Sequence, residues 1–274
     1  MVYLKAEFKN GMKKFLNKLI KKIPGTVQLN NYFLDRKIMN NFLKCSEVEN
    51  KQKDFYKQFI VKNDLVFDVG CNIGSRTKIF LNLGAKVVGF EPQSDLCDHL
   101  YAHLKRNKNF SLERTALGAT TDTTEIKISD AHVLSSMSDR WIQATQKSGR
   151  FENYNWNNTV KVPVTTLDDK IQVYGVPKYI KIDVEGYEFE VLHGLSNPVR
   201  NISIEFTAED IENSYKCIDY ISTLGDFTFN YSIGESLILK NHEWKSKDNI
   251  KFSLAKVCKE ENKAWGDIYA KIKI

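Results

Sequence analysis

Apolar residues recur at helical spacing through the first stretch of the chain, at Phe8, Met12, Phe15, Leu16, Leu19, Ile20 and Ile23, and Pro24-Gly25 ends the run. The pattern predicts an amphipathic helix over residues 1–24. Residues 30–60 carry a second helical pattern, with Phe33, Ile38, Phe42 and Leu43 as inward positions. From Lys62 the period changes, and short apolar runs begin to alternate with helical stretches, which signals βαβ units and a mostly parallel sheet. The expected core strands are Leu65 to Val69, Lys86 to Phe90, Leu112 to Leu117, Tyr179 to Asp183 and Ile202 to Phe206. Between the third and fourth lies a long segment with short strands of its own, at Thr124 to Ser129 and Val160 to Val164, and a polar, tryptophan-bearing loop. Such an insertion usually shapes a site. Gly266 to Ile274 alternates in period two and follows a strand-like run at Ser236 to Lys240, which predicts a terminal antiparallel hairpin. The expected organisation is thus a helical extension over 1–60 and an α/β domain over 61–274, interrupted by an insertion at about 120–165.

Charge refines this picture. The 274 residues carry 40 Lys and Arg against 34 Asp and Glu, a net +6. Residues 1–24 hold seven lysines and one acid, so the whole surplus sits on the amphipathic segment and the remainder is balanced. A balanced body is a poor candidate for binding nucleic acid, because polyanion affinity comes mostly from an excess of Lys and Arg. The basic helix has two readings: peripheral contact with anionic lipid or an acidic partner, or a cap whose apolar face docks on the domain. No apolar run approaches the ~18 residues a membrane span needs, and the lysine-rich start does not read as a secretory signal, so the expectation is a cytoplasmic protein. The five cysteines include no C-x-x-C pair and read as reduced thiols.

The most informative stretch is Asp68-Val69-Gly70-Cys71-Asn72-Ile73-Gly74-Ser75, which leaves a buried strand and opens a helix. A glycine turn at a helix N-terminus brings backbone N–H groups close to a ligand. The dinucleotide pattern G-x-G-x-x-G fails, with Asn72 and Ser75 where its second and third glycines belong, and no Gly-Lys-Ser/Thr follows. A pyrophosphate is disfavoured. Glu91, 21 residues after Gly70 at the end of the second strand, is placed to accept both hydroxyls of a ribose. One nucleoside without a pyrophosphate points to S-adenosylmethionine.

These residues, with Gly84 to Pro92, Thr166-Leu167-Asp168-Asp169 and the block Lys181-Ile182-Asp183-Val184-Glu185-Gly186-Tyr187-Glu188, resemble the FkbM family of S-adenosylmethionine-dependent methyltransferases. The resemblance covers roughly residues 60–210. It implies a Rossmann-like class I methyltransferase fold, a mostly parallel seven-stranded sheet with one antiparallel strand, and O-methylation of a hydroxyl on a sugar, glycan or other small natural product. By the same resemblance Asp68, Gly70, Asn72 and Gly74 would cradle the methionine half of the cofactor, with Cys71 standing where the family more often has alanine. Glu91 would hold the ribose, and Pro92, Ala116 and Leu117 would flank adenine.

An aliphatic hydroxyl must lose its proton to accept a methyl group, which calls for a base or a metal ion. Asp183 and Glu185 are the candidates, as base or as holders of a divalent cation, with Asp183 alternatively anchoring the cofactor and Glu185 capping a helix that begins at Gly186. Glu205 either joins them or is a buried, hydrogen-bonded acid. His193 lies too far along its helix to be a base, and His99 and His103 read as a solvated face. His132, Ser135, Ser136, Arg140 and Trp141 belong to the insertion, where Trp141, Tyr154 and Trp156 suit either stacking on a sugar or packing under a lid. Two other classes compete: a nucleotide-dependent dehydrogenase, which Asn72 and Ser75 oppose, and a catalytically silent binding module.

Overall fold

The structure, a computed structural model, describes residues 47–273. Of the described residues, those from 51 onward form one compact unit. The basic amphipathic helix expected over 1–24 and most of the helical pattern of 30–60 lie outside the described residues.

In chain order the elements are α1 (Glu47–Tyr56), β1 (Leu65–Val69), α2 (Ser75–Asn82), β2 (Lys86–Phe90), α3 (Ser94–Leu104), β3 (Phe110–Glu113), β4 (Ala116–Leu117), β5 (Asp122–Ile128), α4 (Asp139–Lys147) and β6 (Asn158–Thr165). They continue with α5 (Leu167–Tyr174), β7 (Tyr179–Ile182), α6 (Glu188–His193), β8 (Asn201–Thr207), α7 (Ile211–Leu224), β9 (Phe227–Tyr231), α8 (Lys247–Glu260) and β10 (Trp265–Ile272). The main sheet has seven strands in the order β3-β2-β1-β7-β8-β10-β9. Strands β1, β2, β3, β7 and β8 pair in parallel, and β10 runs antiparallel to both β8 and β9. This is the mostly parallel sheet that the strand pattern predicts, in the class I methyltransferase arrangement that the resemblance implies.

Alternation along the strands sorts the core into two faces. Phe67, Val69, Ile180, Ile182, Ile202, Ile204, Phe206 and Ile268 pack on one side against α6 and α7 residues such as Val191, Leu192 and Ile218. On the other side Val66, Tyr179 and Tyr269 pack with Ile79 and Phe80 of α2 and with Phe55, Tyr56, Phe59 and Ile60. The aromatic rings there interlock, with Phe59 stacked on Tyr269 at a centroid distance of 5.6 Å and Tyr56 edge-on to Phe80 at 5.0 Å.

Three expectations change. The single strand expected over Leu112 to Leu117 is two, β3 in the main sheet and β4 in a second, three-stranded sheet β4-β6-β5. The chain breaks at Arg114-Thr115 because Thr115 donates its hydroxyl to Pro163 O at 2.8 Å and Ala116 then pairs with Val164. Ser236 to Lys240 is not a strand. A short 3₁₀ turn spans Gly234–Ser236, Leu237 has φ +50°, and the partner of β10 is β9. The helix expected from Gly186 begins at Glu188, since Gly186 has φ +89° and Tyr187 is not helical. Among the described residues no helix is long and apolar enough to cross a membrane.

Candidate active site

The carboxyl ends of β1, β2, β4 and β7 converge on one open cleft. Its walls include Val69, Gly70, Asn72, Phe90, Glu91, Pro92, Ala116, Leu117, Asp183 and Glu185, and the insertion adds Ile126, His132, Ser135 and Met137. Its cavity volume is about 120 Å³.

The floor is backbone. Gly70, at φ +75°, passes so close to β7 that a Cβ there would lie 1.9 Å from Asp183 O, so only glycine lets the turn cross the strand end. The turn is pinned by Gly70 N–H and Cys71 N–H donating to Phe90 O at 3.0 and 3.1 Å. Asn72 has φ +51°, a conformation asparagine tolerates, and its side-chain oxygen accepts the Ile73 N–H at 2.8 Å. Gly74, at φ +85°, then opens α2.

Glu91 closes one end of the cleft. Its carboxylate accepts the N–H of Asn72 at 3.0 Å, and the N–H and side-chain amide of Gln93 at 2.9 and 3.3 Å. Each carboxylate oxygen offers about two lone-pair sites, so acceptor capacity remains on the oxygen facing Asn72. Burial pushes Glu91 up to about 7, against the pull of these donors.

Carboxylates gather at the other end. Oxygens of Asp183, Glu185 and Glu205 lie within 4.8 Å of one another. Glu185 sits at φ +54°, a strained conformation for a long side chain. It is held there by Ser136, whose hydroxyl donates to Glu185 O at 2.6 Å, and by Gly186, where a Cβ would meet Trp141 Cβ at 2.3 Å. Burial, then the Asp183 and Glu188 carboxylates, raise Glu185 well above the usual carboxylate range. Burial and then Glu185 and Asp183 raise Glu205 in the same direction. Glu185 does not cap α6, whose start at Tyr187 carries no side-chain cap; Glu188 instead ties the loop before it, accepting the Gly186 and Val184 N–H groups at 3.0 and 3.3 Å and the Asn213 amide at 2.9 Å.

The methyltransferase FkbM domain matches residues 68–231, the span that holds both ends of this cleft. The chain belongs to the FkbM family of S-adenosylmethionine-dependent methyltransferases. A relative among characterised proteins is the hexuronic acid methyltransferase AglP of Haloferax volcanii, 25% identical over 144 residues that cover 52% of this chain and 54% of that one. The chain thus matches about half the length of that relative. Solved structures of similar chains include a precorrin-6Y C5,15-methyltransferase from Geobacter metallireducens, at TM-score 0.45, 10% identity and coverage of 85% of this chain and 95% of that chain. An rRNA methylase from Streptococcus thermophilus has TM-score 0.39 and 10% identity, covering 84% and 99%.

Most residues expected at the site of this FkbM methyltransferase do reach the cleft: Gly70, Asn72, Glu91, Pro92, Ala116, Leu117, Asp183 and Glu185 line it. Asp68 does not. It is 1% exposed beneath the sheet end and accepts the Thr77 hydroxyl at 2.6 Å. Cys71 and Gly74 shape the turn from behind, the thiol packing over Gly89, where a Cβ would lie 2.9 Å from Cys71 Sγ. Trp141 is 1% exposed in a small core with Leu134 and Ile142, so it is not available for stacking on a sugar. Tyr154 is exposed, Trp156 is partly buried with its indole N–H donated to Leu134 O at 2.7 Å, and Arg140 pairs with Asp210 at 3.0 Å. His99 and His103 stack on each other along α3, away from the cleft. Gln93 and Thr115 escaped the motif reading, and Lys181, quoted in its block, was given no role. Lys181 carried a signal, an ionisable side chain in an otherwise apolar strand.

Proposed function

We propose that this protein transfers a methyl group from S-adenosylmethionine to a hydroxyl on a sugar or glycan. The observation that carries the reading is the single cleft lined at one end by Glu91 and at the other by Asp183 and Glu185. A ribose acceptor and a proton acceptor are thereby set at opposite ends of one binding space. The sugar class draws support from the hexuronic acid specificity named for the Haloferax volcanii relative.

The residues fit the cofactor. Glu91 has acceptor capacity left for ribose hydroxyls, Phe90, Pro92, Ala116 and Leu117 give an apolar wall for adenine, and the Gly70 to Gly74 turn lets backbone approach the methionine portion. Asp183 anchors the amino end through its carboxylate. When bound, the cofactor supplies a methyl group on a positively charged sulfur, an activated leaving group. The protein's remaining work is alignment and proton removal. Glu185 takes the acceptor's proton from its ionised form, which burial and the neighbouring carboxylates disfavour and thereby make more basic.

Mass spectrometry of the purified protein, followed by methyl-transfer assays across uronic acids, neutral sugars and glycan fragments, tests the proposal. Co-purifying S-adenosylmethionine or its demethylated product, with transfer to a sugar hydroxyl, is the expected result; bound NAD, or no binding at all, refutes it. A chelator arm assigns the acid trio, since turnover lost with chelator and restored by Mg²⁺ would make Asp183, Glu185 and Glu205 cation ligands.

A further inference from the structure

The strand register stacks charge beneath the acid end of the cleft. Asp68 on β1 lies beside Lys181 on β7, and Lys181 lies beside Ser203 on β8. Asp267 on β10 lies beside Glu205 on β8. Asp183 continues the ladder, donating its N–H to Val69 O at 3.0 Å, so it shares a face with Lys181 two residues earlier. Asp183, Glu205 and Asp267 therefore form a row across three neighbouring strands, one pleat nearer the cleft than Lys181. Like charges on adjacent strands repel, and this face is shielded from water, with Lys181 only 3% exposed.

Lys181 answers that repulsion. Its Nζ donates to Asp183 Oδ2. Burial alone would strip its proton, but Asp183, Asp267 and Asp68 outweigh burial and hold the ammonium charged. Arg76 of α2, its side chain 14% exposed, pairs with Glu235 instead.

We propose that Lys181 is a positioning residue for cofactor binding: by holding one oxygen of Asp183 from beneath, it turns the other oxygen into the cleft toward the cofactor's amino end. The inference rests on the reading above, in which Asp183 anchors S-adenosylmethionine. Lys181 itself does not line the cleft and acts only through Asp183.

Calorimetry with S-adenosylhomocysteine, the unreactive demethylated product, tests this without any knowledge of the acceptor. Lys181→Met should weaken binding by about 10- to 100-fold, the range for losing a hydrogen bond to a charged group. In an Asp183→Asn background the same change should add nothing, because the partner through which Lys181 acts is already gone. With an acceptor in hand, the loss should appear in KM for S-adenosylmethionine and leave kcat at saturating cofactor near wild type. Unchanged affinity in Lys181→Met, or losses that simply add in the double variant, would overturn the assignment. Should Lys181→Met fail to fold by circular dichroism, Lys181→Leu, which also removes the donor to Asp183, is read by the same cycle. Failure of the wild-type protein itself to bind the probe would refute the underlying reading, an outcome distinct from a wild type that binds and a variant that binds equally well.

Discussion

The Glu91 carboxylate accepts the backbone N–H of Asn72 at 3.0 Å, which ties the end of β2 to the turn that leaves β1. One side chain thus braces the turn and faces the ribose end of the cleft. Glu91→Ala should weaken S-adenosylmethionine binding by roughly 1–3 kcal/mol, through loss of charge-assisted hydrogen bonds and of the brace on Asn72. Titration calorimetry checks this, and an unchanged affinity would remove Glu91 from the site.

The same carboxylate predicts a pH effect on binding. Burial pushes Glu91 up to about 7 in the ligand-free protein, and hydroxyl donors favour the ionised form. Affinity should therefore fall as pH drops below about 7, and binding near neutrality should release protons. Calorimetry in buffers of differing ionisation enthalpy reads that release, which Glu91→Gln should abolish.

Stability of the ligand-free protein should run the other way. Glu91 and Glu188 are both raised to about 7 by burial, so between the ordinary glutamate value and 7 the folded state binds more protons than the unfolded one. Their ionisation then lowers stability as pH rises through that window. Melting temperatures across pH 5–8 test the sign, and Glu188→Gln should flatten part of the slope.

Much of the cleft was legible because its chemistry is local. The turn from Asp68 to Ser75, Glu91 at a strand end and the pair Asp183 and Glu185 are set by short-range spacing, and the sheet brings their cleft-facing members together. What was not legible depends on distant partners. Trp141 is an aromatic in a polar loop, and only the contact with Gly186, 45 residues later, shows that it is core. Leu112 to Leu117 reads as one strand until β6 is seen to draw Ala116 out of the main sheet. Lys181 becomes intelligible only when β8 and β10 set Glu205 and Asp267 near it.

Glu185 predicts a conflict between stability and activity. Its φ of +54° and the crowding of its carboxyl against Asp183 and Glu188 both disfavour the fold, which is expected of a side chain retained for chemistry. Asparagine tolerates that backbone and carries no charge. Glu185→Asn should raise the melting temperature while lowering turnover by about 10²- to 10⁴-fold, the usual range for loss of a general base. A variant that is both active and more stable would refute the role.

Arg150 predicts how the insertion is fastened. Its Nε and Nη2 donate to the two oxygens of Glu209 at 2.7 and 2.8 Å, a bidentate pair with side-chain exposures of 13% and 4%. A further bond runs to Lys263 O, so one guanidinium joins the insertion, the turn before α7 and the approach to β10. Burial would raise Glu209, but Arg150 prevails and its pKa is lowered. The pair's contribution is therefore present above the ordinary glutamate range and is lost as pH falls through the depressed value, opposite in sign to Glu91 and Glu188. Arg150→Ala, by leaving the buried Glu209 carboxylate without its ion partner and with only the Ser148 hydroxyl as a side-chain donor, should destabilise the protein by about 3–5 kcal/mol, while replacing both partners with methionine should recover most of that loss. Denaturant unfolding of the two variants decides it: equal losses in both would mean that the ion pair is incidental and that packing alone holds the insertion.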